Sequence, residues 1–129
     1  MKKRFSALIL VVIILSLCAC SESKNNPAEV NEVKSYLKQY YWYRYAGGTF
    51  EQEIIYDFRT DGTYTMTAFH SFPYLDFSHE GTYQINTNRR TLMCVTDEGK
   101  EYEWTYSLYE NSMKLIDSYS NEYTKINKK

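Results

Sequence analysis

Glu101 and Glu103 stand two residues apart in Glu101-Tyr102-Glu103-Trp104. On one face of a strand their carboxylates would sit about 6 to 7 Å apart. That approaches the separation at which inverting glycosidases divide acid and base work. Both alternate with Tyr102 and Trp104, so they belong to a solvated face and read as surface charge. Glu51 and Glu53 read the same way. His70, Asp76 and His79 bracket the longest stretch without strand pattern, and imidazole with carboxylate can ligate zinc or copper. Their spacing matches no established ligand pattern, so no metal and no cofactor is expected. Cys94 lies in Leu92-Met93-Cys94-Val95 without a basic or histidine neighbour to lower its pKa, and reads as a small buried hydrophobe. Ser, His and Asp occur without a nucleophile-elbow pattern. No catalytic residue is assigned, and the chain is expected to be non-enzymatic.

Aromatic side chains carry the stronger signal. The chain of 129 residues has 14 Tyr, 6 Phe and 2 Trp, far from the aromatic-poor composition of disordered segments. Such residues favour strands. Tyr56, Tyr64, Tyr83, Tyr102 and Tyr106 fall on predicted inward faces, and Trp104 joins them. A buried phenol left unsatisfied costs ~1–3 kcal/mol. The interior is therefore expected to keep water or an amphipathic ligand among the rings, unless the phenols reach past its ends to solvent. Phe72, Tyr74, Leu75 and Phe77 cluster in the long loop, where they form either a lid with a binding role or a plain plug.

The elements that must position these groups follow from periodicity. Asn26 can cap a helix, Pro27 suits its first turn, and Val30, Val33 and Leu37 make one apolar face, which predicts a short amphipathic helix over 27–38. From Tyr40 onward eight strands are predicted, joined mostly by hairpins. Thr60-Asp61-Gly62 is the sharpest turn, since Asp-Gly tolerates positive φ. Tyr102, Trp104, Tyr106 and Leu108 against Glu101, Glu103, Thr105 and Ser107 give the cleanest alternation. The fold class is all-β: a small up-and-down antiparallel barrel of about eight strands with one short N-terminal helix. A two-sheet sandwich is the rival, disfavoured because its crossovers are usually longer than these turns.

The N-terminus has a different character. Met1-Lys2-Lys3-Arg4 is a basic head, Phe5 to Leu17 an uncharged apolar run, and Ala19 a small residue before Cys20. The run is shorter than the ~20 residues that span a bilayer. Cys18 follows bulky Leu17 and is the poorer acceptor. This stretch resembles the bacterial lipoprotein signal, which implies cleavage after residue 19, lipidation of Cys20, and attachment to the extracytoplasmic side of the cell membrane or outer membrane. Removing Lys2, Lys3 and Arg4 lowers the 15 basic residues to 12 against 16 acidic ones, a net charge of −4. No Lys/Arg cluster interleaves with the aromatics, so nucleic acid is excluded as a partner.

Trp42, Phe58-Arg59-Thr60-Asp61-Gly62-Thr63-Tyr64, Gly81-Thr82-Tyr83-Gln84-Ile85, and Tyr102 through Leu115 leading to Tyr123-Thr124-Lys125 resemble the bacterial lipocalin-like lipoproteins. The resemblance covers about residues 40 to 127. It implies an up-and-down barrel whose interior holds a small hydrophobic molecule, and it brings no catalytic residues. The expected organisation is a signal peptide over 1–19, a lipidated tether and helix over 20–39, and a barrel domain over 40–127. Two roles are open. One is a membrane-tethered module binding a small apolar or amphipathic ligand in or at the mouth of the barrel. The other is a structural lipoprotein with a solid barrel, presenting aromatic surface to an envelope protein or glycan.

Overall fold

A computed structural model describes residues 24–49, 51–70 and 76–129. The leader, Cys20, and the loop residues Phe72, Tyr74 and Leu75 lie outside the described residues. Helix α1 (Pro27–Gln39) begins where the Asn26 side chain accepts from the N–H groups of Ala28 and Glu29, at 3.0 and 3.3 Å. It ends where Tyr40 turns extended and enters β1. Eight strands follow: β1 (Tyr40–Ala46), β2 (Gln52–Phe58), β3 (Thr63–His70), β4 (Phe77–Asn86), β5 (Thr91–Thr96), β6 (Glu101–Tyr109), β7 (Ser112–Ile116) and β8 (Thr124–Asn127).

All eight strands belong to one antiparallel sheet in the order β7-β6-β5-β4-β3-β2-β1-β8. The all-β, up-and-down architecture with one N-terminal helix is therefore the one observed, and the two-layer alternative is not. The sheet is curled into a half-barrel. Its two edges, β7 and β8, are joined at one end by an Ile116–Glu122 bridge and a 3.0 Å bond from the Tyr123 N–H to the Leu115 carbonyl. Strand β8 has four residues, all paired along β1, and the seam is spanned further down by Lys125, whose Nζ donates to Ser112 Oγ at 2.7 Å.

One boundary differs from the sequence reading. Strand β4 starts at Phe77, so Phe77 and His79 are strand residues rather than loop residues. The pairs Ala68–Phe77 and Met66–His79 extend the ladder past the Gly81-Thr82 start read from local pattern. Long-range pairing decides that segment, because Phe77 to Glu80 has no clean alternation of its own.

Helix α1 lies over one end of the sheet. Val33 and Leu37 are fully buried in the core, and the Leu37 carbonyl accepts from Trp42 Nε1 at 3.2 Å. Glu29 accepts from the Tyr106 hydroxyl at 2.9 Å, and Lys34 Nζ donates to the Thr60 carbonyl at 3.2 Å. Ahead of the helix, Asn25 Nδ2 donates to the Ile85 carbonyl and Asn25 Oδ1 accepts from the Thr87 N–H, at 2.7 and 2.9 Å. All these partners sit at the same ends of their strands, so helix and hairpins together form a floor. The other end carries the turns Asp97–Lys100 and Asp117–Asn121 and the start of β4, and among the described residues no helix lies over it.

Candidate functional site

Cross-strand register decides what faces inward. Trp42, Tyr56, Met66 and His79 form one rung across β1 to β4, and Arg44, Ile54, Ala68 and Phe77 form the next toward the open end. From the other side Cys94 opposes Tyr83 and Tyr102, and Leu92 opposes Trp104. Toward the floor the rings close on one another. Trp104 stacks on Tyr123 at 4.8 Å and meets Tyr56 edge-on at 4.6 Å, while Phe58 meets Tyr83 at 5.3 Å.

Above these rings the half-barrel opens into a cavity of about 520 Å³. Tyr56, Tyr64, Tyr102, Trp104 and Tyr123 line it, with Arg44, His79, Cys94 and Asp117 supplying polar atoms. Exposed Phe77 stands at its rim. Of the sequence-selected residues, Tyr56, Tyr64, Tyr102, Trp104 and Phe77 therefore come together around one space. Tyr83 and Tyr106 do not. They belong to the floor half of the core, where the Tyr83 hydroxyl donates to the Arg59 carbonyl and that of Tyr106 to Glu29.

The phenols of Tyr56, Tyr64 and Tyr123 are held protonated. Burial pushes Tyr56 and Tyr64 well above the ordinary tyrosine value, with neighbouring rings adding at Tyr56 and Cys94 at Tyr64. At Tyr123 burial again leads, and Asp117 and Arg44 then pull in opposite directions on the same hydroxyl. Tyr123 donates to Asp117 Oδ2 at 3.2 Å. The Cys94 thiol is buried and pushed up to about 12 by desolvation, so it is a wall atom and a poor nucleophile.

Sequence reasoning missed Arg44, Tyr123 and Asp117. Alternation with Trp42 places Arg44 inward, but the run Tyr40-Tyr41-Trp42-Tyr43 puts aromatics on both faces and hides which one is buried. Among the described residues no group of three or more His, Cys, Asp or Glu converges as metal ligands. His70 contacts Gln52 Nε2 at 2.9 Å, and its backbone N–H donates to Asp76 Oδ1 at 3.0 Å. His79 packs its ring against Tyr64 at 6.0 Å. Glu103 pairs with Arg89 at 3.0 Å, and exposed Glu101 lies beside it.

The chain matches no family model, no curated protein and no solved structure.

Proposed function

We propose that this protein is a membrane-anchored extracytoplasmic lipoprotein, without catalytic activity, that binds a small apolar or amphipathic molecule at the mouth of its half-barrel. The observation that carries this reading is the 520 Å³ space bounded by Tyr56, Tyr64, Tyr102 and Trp104. Ligand sites are typically concave, mostly apolar, and about 300–1,000 Å³ in volume. Tyr83 and Tyr106 give their hydroxyls to partners at the floor, whereas Tyr56, Tyr64 and Tyr102 border the space itself, together with Tyr123, whose hydroxyl donates to Asp117. A proposed kinship with lipocalin-like lipoproteins rests on the resemblance of the sequence motifs quoted above alone.

The anchor agrees with this geometry. Lipid on Cys20 would lie five residues from Asn25, at most about 18 Å of extended chain. Asn25 is tied to Ile85 and Thr87 at the floor, so a lipid on Cys20 would be tethered nearer the closed end than the mouth.

Native mass spectrometry of protein from its own host, kept in one detergent throughout, tests the reading. A retained small mass that is lost on Trp104→Ala supports it, and protein of bare lipidated mass counts against it. Cys20→Ala should move the protein from the membrane to the soluble fraction or leave an uncleaved leader.

A second reading, an interaction lipoprotein, is favoured by the outer face. Tyr41 and Tyr45 on β1, Phe69 on β3 and Ile126 on β8 are exposed there, with β8 beside β1 and β2 between β1 and β3. Tyr41→Ser with Phe69→Ser would remove that surface and leave the cavity lining intact.

A further inference from the structure

We infer that the cavity is shaped for a small organic anion, with its acidic group paired to Arg44 and a flat or short apolar body against the inner rings. The inference rests on the proposal that the cavity binds a ligand, and it names the class.

Arg44 is the one cation on the inward rung Arg44–Ile54–Ala68–Phe77. Its side chain lines the cavity, and its Nε is buried without a hydrogen-bond partner among the described residues. The residue is half-buried and its guanidinium also meets the Tyr123 hydroxyl, so the group left open is the buried Nε–H, which is costly to leave unsatisfied. The Asp117 carboxylate in the same cavity does not supply that partner. Asp117 forms no ion pair with Arg44 within 4.0 Å among the described residues, and its oxygens already accept from Tyr119 N, Asn121 N, Asn121 Nδ2 and the Tyr123 hydroxyl.

His79 lies one rung deeper and supplies a second buried nitrogen, Nε2, without a partner among the described residues. Both residues line the one aromatic-walled space, and the Arg44 Nε–H, a donor in every protonation state of a protein arginine, is the group that an acceptor oxygen on a ligand would satisfy. A guanidinium fork matches a planar carboxylate with two parallel hydrogen bonds. Tyr56, Tyr64 and Trp104 then offer faces and edges to an apolar body below. Asp97, Glu98 and Lys100 are exposed at the rim, where water and salt screen them, so they do not set the charge deeper in.

A charge-swapped probe pair tests this. Calorimetry on the full chain in lipid nanodiscs, with empty nanodiscs as blank, would compare 3-phenylpropionate with neutral 3-phenylpropionamide. The carboxylate should bind at least about tenfold more tightly, as expected of a hydrogen bond to a charged group. Arg44→Met should erase that preference while the amide affinity changes less than about threefold, and Arg44→Lys should keep part of it. On unaltered protein the Arg44 Nε–H resonance should shift with the carboxylate and not with the amide, a readout that needs no variant. Equal affinities, or a preference surviving Arg44→Met, would overturn the anion assignment and leave the cavity reading standing. If neither probe binds, the cavity reading itself falls.

Discussion

Tyr64 lies over Gly81, its directly opposed partner across β3 and β4. A Cβ at Gly81 would come within 2.5 Å of the Tyr64 ring, and it would also strike the Val95 carbonyl on β5. The glycine therefore makes room for the ring that walls the cavity, and it lets β5 approach at full register. The backbone contact cannot be relieved by a rotamer change.

Gly81→Ala should consequently destabilise the protein by about 2 kcal/mol, in the range of overpacked cores. Urea unfolding checks this. A midpoint unchanged from wild type would mean that β4 and β5 can part at no cost, contrary to the close approach described.

The floor yields a second expectation. Leu37 is fully buried beneath Trp42, and Leu37→Ala should cost about 3 kcal/mol. Tyr106→Phe should cost nearer 1 kcal/mol, because Glu29 keeps Arg90 at 3.4 Å as a partner. Both changes lie at the closed end. Affinity for any cavity probe should stay within twofold in the folded variants, and a larger loss would mean that floor and mouth are coupled.

Alkaline pH should unfold the protein cooperatively. Burial, foremost, raises Tyr56, Tyr64, Tyr106 and Tyr123 above the ordinary value of 10.0, and it pushes Tyr83 up to about 12. Below pH 10 both folded and unfolded chains keep these protons. Above it the unfolded chain releases them while the native one holds them, so stability falls as pH rises, and the Tyr83 contribution is gone by about pH 12. Absorbance at 295 nm and far-UV circular dichroism, followed together, should show the last phenols ionising as structure is lost. Complete ionisation with the sheet intact would contradict the buried phenols.

Local chemistry made much of this fold legible. Asp61-Gly62 marked the β2–β3 turn, where Gly62 has φ +88°, and the alternation from Glu101 to Leu108 placed Trp104 and Tyr106 inward. What stayed hidden depends on distant contacts. Asn26 capping was readable, but the docking of Asn25 and Asn26 on Thr87, across 62 and 61 residues, decides which end the helix closes. With the floor unassigned, Tyr83 and Tyr106 looked equivalent to Tyr56 and Tyr64. Arg44 escaped notice because inward charge runs against the hydropathy pattern that reveals inward faces.

Cys94 offers a direct probe of the interior. It is a free thiol, nearly inaccessible, on the wall between Tyr83 and Tyr102. With its pKa pushed up to about 12 by desolvation, very little thiolate exists at pH 8. An ordinary cysteine has a pKa of about 8.5, so the native thiol should react with iodoacetamide roughly a thousandfold more slowly than the same thiol in urea. Cys94 is among the residues lining the cavity, so ligand bound there should slow the reaction further. Trp42→Phe, at the floor, should leave the rate unchanged as long as the fold persists. A native rate close to the unfolded one would mean that Cys94 faces water and that the rings around it do not enclose a protected space.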